Sequence, residues 1–348
     1  MKIKYILLIA VLLTGSFRGA KAQVSKTIYV DKAGTLISNL TEEEAQSVTH
    51  LTITGKINAV DFKNLRNDFN KLESLDISNA DIRTYTGKGG TFPDEKFYIY
   101  QPNTIPTYAF CFALNGDTLG KSSLKEVIIS EKIRTIEEYA FKGCKNLFSL
   151  VINKKTPPNL QNNALDHHTT AVFIPLGSRD EYRYKKNFED FVLIEGKPVK
   201  ASIKIEAGGS LKEEVQSAGL TPKEINYLTI EGKLDSEDLK LISDYMSGLV
   251  SVDISNTTAV MFPDFTFAQK KNLLRIALPK NLKVIGQRVF SGCEHLSGDL
   301  YLPESMTTIN YGAFMGCKNL RQVIATGSSL TSLGDNLFGD EKGKLINK

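Results

Sequence analysis

The amino-acid sequence predicts a β-dominated solenoid of the α/β type. It is a right-handed superhelix of short parallel strands with irregular or short-helical returns, built as two tandem modules. Three observations predict it. Residues 133–147 (IRTIEEYAFKGCKNL), 282–296 (LKVIGQRVFSGCEHL) and 306–320 (MTTINYGAFMGCKNL) share one pattern, apolar-x-x-Ile-x-x-x-Ala/Val-Phe-x-Gly-Cys-x-x-Leu, and the last two copies lie 24 residues apart. A period between 20 and 50 residues marks stacked units that each contact only their neighbours. Apolar-x-apolar strand cores keep the same 24-residue step from Leu51 to Leu75, Leu228 to Val252, Ile276 to Leu300 and Leu278 to Leu302. A longer duplication underlies both. LTITGKI (51–57) matches LTIEGKL (228–234) and LDISN (75–79) matches VDISN (252–256) at an offset of 177 residues, while 29–36 resembles 204–211 at 175.

The chain opens on a segment that reads as a secretory signal over residues 1–22. Lys2 and Lys4 precede an apolar run too short to span a membrane as a helix, and Ala20-Lys21-Ala22 supplies a cleavage site before Gln23. No Cys follows the run, which argues against a lipoprotein anchor, and no second long apolar run is present, so no membrane insertion is expected after cleavage. The leader holds Lys2, Lys4, Arg18 and Lys21 and no acid, which leaves 39 basic residues of the 43 against 39 acidic ones. A neutral mature chain points to neither nucleic acid nor anionic lipid as partner. The basic stretch Lys270, Lys271, Arg275, Lys280 and Lys283 lacks interleaved aromatics and reads as a solvated face.

Within each module one strand per 24 residues forces parallel neighbours, because the chain travels round the coil before pairing again. The first returns read as helical, with Phe62, Leu65 and Phe69, and Leu239, Ile242 and Tyr245 or Met246, at helical spacing. Later returns are shorter. In them Ile136, Ile285 and Ile309 with Phe141, Phe290 and Phe314 are expected to fill the coil, and Gly143 to turn the chain. A copy without Cys lies at 105–110 and a degenerate one at 333–338. The first module closes through TPPNL, AVFIP, GSRDEY and FEDFVLIEG, read as two shortened coils plus a small capping helix. The second ends on FGDEKGKLINK, where either the 336–348 tail or a partner is expected to cover the last coil.

Cys144, Cys293 and Cys317 occupy one repeat position, so they read as a stack of small buried thiols. Equivalent residues on adjacent coils sit about 4.8 Å apart, so a Cys293–Cys317 disulfide is the alternative.

The Ile-x-x-x-Ala-Phe-x-Gly-Cys-x-x-Leu coils resemble the BspA-like leucine-rich repeats of secreted and surface proteins, common in Bacteroidetes. The match is carried by Ile136, Ala140, Phe141, Gly143, Cys144 and Leu147 and their counterparts, over 105–152 and 273–338. The LTITGKI and LDISN segments are similar to the opening coils of related Bacteroidetes proteins. The resemblance implies a leucine-rich-repeat solenoid; the leader, the 177-residue duplication and the break at Gly196 and Pro198 divide the chain into a signal peptide (1–22), a first module with a C-terminal cap (23–196) and a second without a full cap (197–348). It also implies an exported binding protein of the cell surface or periplasm, with adherence to host matrix or to other cells as its expected role.

Nothing in the sequence nominates chemistry. No HExxH, P-loop, GxSxG or helix-opening GxGxxG occurs. Cysteines that repeat with the coil argue for packing, since one active site needs one nucleophile. Asp166-His167-His168 is the one histidine cluster; it lies in a polar connection of the capping region and reads as a solvated loop, and on a strand adjacent histidines would face opposite ways, a poor metal site. The expected protein is therefore non-catalytic and without cofactor. Its partner is a protein of the host matrix or the envelope, bound through the strand face or the inserted loops; the alternative is a glycan, for a nutrient-uptake accessory. Candidate ligand-binding residues are Tyr98, Tyr100 and Tyr108, in the aromatic segment FPDEKFYIYQPNTIPTY (92–108) after the flexible Gly87-Lys88-Gly89-Gly90. A packing role for the same segment would place Phe97 and Ile99 inside the coil. Asp117-Thr118-Leu119 fits a short O-glycosylation motif used by Bacteroidetes, with Thr118 as acceptor.

Overall fold

The computed structural model describes residues 23–94, 96–114, 117–325, 327, 329–340 and 343–347; the expected leader lies outside them. The chain divides into two compact units between Lys197 and Pro198. Strands dominate both, as expected of this fold.

The first unit opens with β1 (Ser25–Val30), α1 (Glu42–Ser47), β2 (His50–Ile57), α2 (Ala59–Asn67) and β3 (Ser74–Ile82). Two hairpins follow: β4 (Tyr85–Gly87) with β5 (Tyr98–Tyr100) and, after the short β6 (Thr104–Ile105), β7 (Cys111–Leu114) with β8 (Asp117–Gly120). Then come β9 (Glu126–Ile129), β10 (Thr135–Ile136), β11 (Ser149–Ile152), β12 (Asn159–Leu160), β13 (Ala171–Ile174), α3 (Arg179–Arg183) and β14 (Val192–Glu195). The main sheet runs β1-β2-β3-β9-β11-β13-β14, all parallel. Its register aligns Leu51, Leu75, Val127, Leu150, Val172 and Leu193, each buried in one continuous core. A second ladder, β6-β10-β12, aligns Ile105, Ile136 and Leu160 across the coil.

The second unit repeats the plan. It holds β15 (Lys200–Ile205), α4 (Leu211–Ser217), β16 (Tyr227–Gly232), α5 (Ser236–Tyr245), β17 (Ser251–Thr257), β18 (Met261–Phe262), β19 (Arg275–Ala277) and β20 (Val284–Ile285). β21 (Gly298–Leu302), β22 (Thr308–Ile309), β23 (Leu320–Ala325), β24 (Ser332–Leu333) and β25 (Leu345–Asn347) complete it. The ladder β18-β20-β22-β24 mirrors the second ladder of the first unit. The main sheet, however, falls into β15-β16-β17-β19 and β21-β23-β25. The step from Ile276 to Leu300 keeps its 24 residues but forms no ladder. Gly298 is left-handed there (φ 74°) and pairs with a register shift against β23, while Ser297 N–H donates to Leu274 O at 3.2 Å across the junction.

The repeated LTI-x-GK and DISN segments have a backbone cause. Gly55 (φ 87°) and Gly232 (φ 100°) are left-handed, and a Cβ on either would sit 2.3 or 2.1 Å from Val30 O or Ile205 O of the preceding coil. The register slips beside them, after Thr52 and Thr229, and Asp76 and Asp253 accept the N–H groups of Ser78 (2.8 Å) and Ser255 (3.1 Å) within the slipped strand. The helices α2 and α5 begin with capping boxes, Asn58 with Asp61 and Asp235 with Asp238. Each buried aspartate also accepts two N–H groups from the coil before it. Asp61 takes Gly34 (2.6 Å) and Leu36 (2.9 Å); Asp238 takes Gly209 (3.0 Å) and Leu211 (2.9 Å). Burial raises the Asp61 pKa, and these N–H groups oppose that rise.

In the shorter coils the residue two places ahead of the repeated Phe (Leu165 in one coil) is left-handed every time: Tyr108, Tyr139 and Asn163 in the first unit, Phe265, Arg288, Gly312 and Asn336 in the second. This turn aims the next carbonyl at the preceding coil, so Ala140, Ala164, Val289, Ala313 and Leu337 accept N–H groups from Phe110, Phe141, Phe267, Phe290 and Phe314 at 2.8–2.9 Å. The phenyl rings stack in step: Phe110 on Phe141 at 5.1 Å, and Phe267, Phe290, Phe314 and Phe338 at 5.5, 5.7 and 5.6 Å. The described residues of the 336–348 tail therefore do not form a lid across the end. Phe338 continues the ring stack and Leu345 pairs beside Val323, adding one more coil.

Candidate binding surfaces

The 52-residue step from Leu75 to its neighbour Val127 holds both hairpins. One buried arginine reaches both, at the loop joining β4 to β5 and at the start of β7. Arg66, near the end of α2, donates from Nη1 to the carbonyls of Thr91 (2.9 Å), Tyr108 (2.6 Å) and Cys111 (3.1 Å), and its guanidinium lies 4.6 Å from the Phe112 ring. Burial lowers its pKa from an ordinary value so high that the charge survives. A two-stranded hairpin alone is marginal in water; here both are anchored to the core coil by the same cation.

The candidate tyrosines pack against one another. Tyr98 stacks on Phe92 at 3.9 Å and donates its hydroxyl to Asp94 at 2.8 Å. That bond holds the Asp94 carboxyl below its usual range and pushes the Tyr98 phenol up. Tyr100 is buried, and its hydroxyl accepts the Phe92 N–H at 3.2 Å. Tyr108 is half-buried, edge-on to Phe92 at 5.6 Å and stacked on Tyr139 at 5.5 Å. The glycines ahead of them are close-packing positions rather than a flexible turn: a Cβ on Gly90 would lie 2.3 Å from the Tyr100 ring.

Phe97 and Ile99 do not fill the coil. They are 71% and 69% exposed, because the β4–β5 register turns Tyr98 and Tyr100 inward and their alternate neighbours out. On the second hairpin Phe112 and Leu119 form a cross-strand pair and are 40% and 61% exposed. Thr118 sits beside them on β8, half-buried, opposite Ala113 in the register. The sequence signal for Phe97 and Ile99 was strict alternation with Tyr98 and Tyr100, which leaves open which set faces the core.

The repeat residues lie inside. Ile136, Phe141, Cys144, Ile285, Phe290, Cys293, Ile309, Phe314 and Cys317 are all buried. None of the four cysteines is joined in a disulfide. The thiols of Cys144, Cys293 and Cys317 donate to Phe110 O (3.4 Å), Phe267 O (3.1 Å) and Phe290 O (3.1 Å), so each points to the preceding coil's backbone and none into a disulfide. Burial pushes the Cys144 and Cys293 thiols up to about 12 and Cys111 to about 11, the opposite of an activated nucleophile. Where the coil follows a helix, lysine replaces the cysteine. Lys121 Nζ donates to Arg66 O (3.1 Å) and Lys270 Nζ to Ser243 O (2.6 Å), each near the carbonyl end of the preceding helix. Lys270 is thus buried rather than part of a solvated basic face, and burial lowers its pKa and brings Lys121 down to about 8.

His167 and His168 sit in a turn, as expected of a polar connection, with ring centroids 3.9 Å apart. Among the described residues no group of three or more His, Cys, Asp or Glu could hold a metal ion, and no helix is long and apolar enough to cross a membrane. His295 serves packing: its Nδ1 lies 2.7 Å from Lys271 O, in the place where Asn146 and Asn319 donate to Ser122 O and Glu294 O.

A parallel-strand repeat scaffold carrying inserted hairpins is an architecture for presenting surface. The chain belongs to the family of the BspA type leucine rich repeat region, whose model matches six copies over residues 103–190 and 244–346. Among solved structures it is similar to a leucine-rich repeat protein from Bacteroides ovatus, at 18% identity over 86% of this chain and 78% of that one, with a TM-score of 0.27. It is also similar to a leucine rich cell surface protein from Faecalibacterium prausnitzii, at 14% identity over 70% of this chain and 69% of that one, with a TM-score of 0.17. At such scores neither bears on function. No curated protein matches the chain.

Proposed function

We propose that this chain is an exported, non-catalytic binding protein of the bacterial envelope. In this reading it holds a protein partner, of host matrix or of another cell surface, through its two inserted hairpins. The observation that carries the reading is the outward set Phe97, Ile99, Phe112 and Leu119 on hairpins anchored by Arg66. Burying such side chains is worth about 1.5–3 kcal/mol each, and leaving four exposed on short insertions forgoes that gain unless a partner covers them. Tight anchoring lowers the ordering cost of binding. Family membership and the buried, high-pKa thiols support a role in recognition rather than catalysis.

The test couples location to binding. Protease shaving of intact producing cells should release peptides from 23–348 while a periplasmic control stays intact. Beads coated with the chain should adhere to a matrix or cell layer, and Phe97→Ser with Ile99→Ser should reduce adhesion about tenfold or more, as expected for central apolar anchors. Peptides protected until the outer membrane is opened, or adhesion indifferent to the double variant, would refute the reading.

A further inference from the structure

A polar groove lies in the first unit beside β12 and the turn after it. Two cavities of about 310 and 450 Å³ share Leu160, Gln161, Asn162 and Asn187 in their walls. Both volumes fall within the about 300–1,000 Å³ usual for small-ligand sites. Leu160, Leu165 and Phe191 give it a buried apolar floor. Carboxamides dominate its rim, and two of them are oriented by the backbone. Gln161 Oε1 accepts the Glu138 N–H at 3.0 Å, which leaves its Nε2 donors for the groove. Asn187 Nδ2 donates to Leu160 O at 2.7 Å, which leaves its Oδ1 acceptor. Among the described residues, the side chains of Asn159 and Asn162 make no hydrogen bond. The paired imidazoles of His167 and His168 close one side, with His167 edge-on to Phe191 at 5.9 Å.

The charges in the walls nearly balance, Glu138, Asp166 and Asp190 against Lys142 and Lys186, so neither a polyanion nor a cation is favoured. The shallow apolar floor does not suit a lipid. A carboxamide offers a donor and an acceptor side by side, which matches a pair of vicinal hydroxyls, each able to donate and accept. A flat imidazole face and an apolar floor match the C–H face of a sugar ring. We infer that this groove binds a neutral oligosaccharide. The inference does not depend on the hairpin reading, which concerns other residues and another class of partner.

The experiment applies the full mature chain to an array of neutral gluco-, manno-, galacto- and N-acetylglucosamine oligomers, then titrates the retained oligomer calorimetrically. Asn162→Ala and His168→Ala should each weaken binding roughly fivefold or more, as loss of a hydrogen-bonding partner does. The isosteric Asn162→Asp should weaken it too, since it replaces a donor by a charge. Phe97→Ser with Ile99→Ser should leave it unchanged. The inference is overturned if no neutral oligomer is retained, or if only anionic glycans are retained in a salt-sensitive way. It is likewise overturned if the groove variants bind like the parent with unaltered thermal unfolding, or if binding is lost in the hairpin variant instead.

Discussion

At the scale of single residues, the cysteine position shows how one side chain answers two environments. Between short coils a small thiol reaches the preceding phenylalanine's carbonyl; after a helix, only a lysine is long enough to reach the carbonyl end of that helix. The thiols also set an alkaline limit. Cys293 is raised from an ordinary value near 9 to about 12, so between those values the unfolded chain has released a proton that the folded chain retains. Stability then falls as pH rises, by about 1.4 kcal/mol per unit for one group. Urea unfolding at pH 8 and pH 10 should show that Cys293→Ala loses about 1 kcal/mol less than the parent over this interval. The alanine variant is weaker at both pH values because it lacks the thiol's hydrogen bond, so the difference between the two losses is the quantity that counts. Lys121, lowered to about 8, gains stability as pH rises from there, but it is common to both proteins and cancels.

At the scale of elements, Arg66 is the point where two insertions become part of a coil. Three carbonyls, from the β4–β5 loop, from Tyr108 and from the start of β7, converge on one nitrogen, and removing it leaves buried acceptors without a donor. Arg66→Met should cost about 3 kcal/mol. Hydrogen exchange followed by mass spectrometry should show faster exchange over 85–100 and 111–114, while 171–174 and 192–195 keep their protection. Uniform loss of protection across the unit would mean that the hairpins have no separate anchorage. The hairpins also show what a pattern leaves open. Phe97 to Tyr100 alternates cleanly, yet period two does not say which set is buried; Arg66 and the close approach at Gly90 decide it.

At the scale of the whole molecule, each unit behaves as a stack in which a coil contacts only its neighbours. The phenylalanine ladder makes that measurable. Phe290 has rings on both sides, at 5.5 and 5.7 Å, whereas Phe338 has one, at 5.6 Å, and is half-buried. Phe290→Ala should cost about 3–5 kcal/mol and Phe338→Ala clearly less than half of that, read as shifts in urea midpoint. Equal costs would contradict a nearest-neighbour stack.

The repeat pattern alone determined the class of fold, the parallel pairing and the inward residues from Leu51 to Leu75 and from Ile136 to Phe141, because burying one side chain per turn of the coil leaves a periodic trace. The left-handed residue two places ahead of each repeated Phe, or Leu165, left none, since Tyr108, Tyr139, Asn163, Phe265, Arg288, Gly312 and Asn336 share a backbone angle but no side-chain chemistry. Nor did the outward turn of Phe97 and Ile99, the burial of Lys270 or the pairing of His167 with His168. Each of these depends on a contact from a distant part of the chain, Gly90 with Tyr100, Lys270 with Ser243, His167 with Phe191, and such contacts exist only once the coils are stacked.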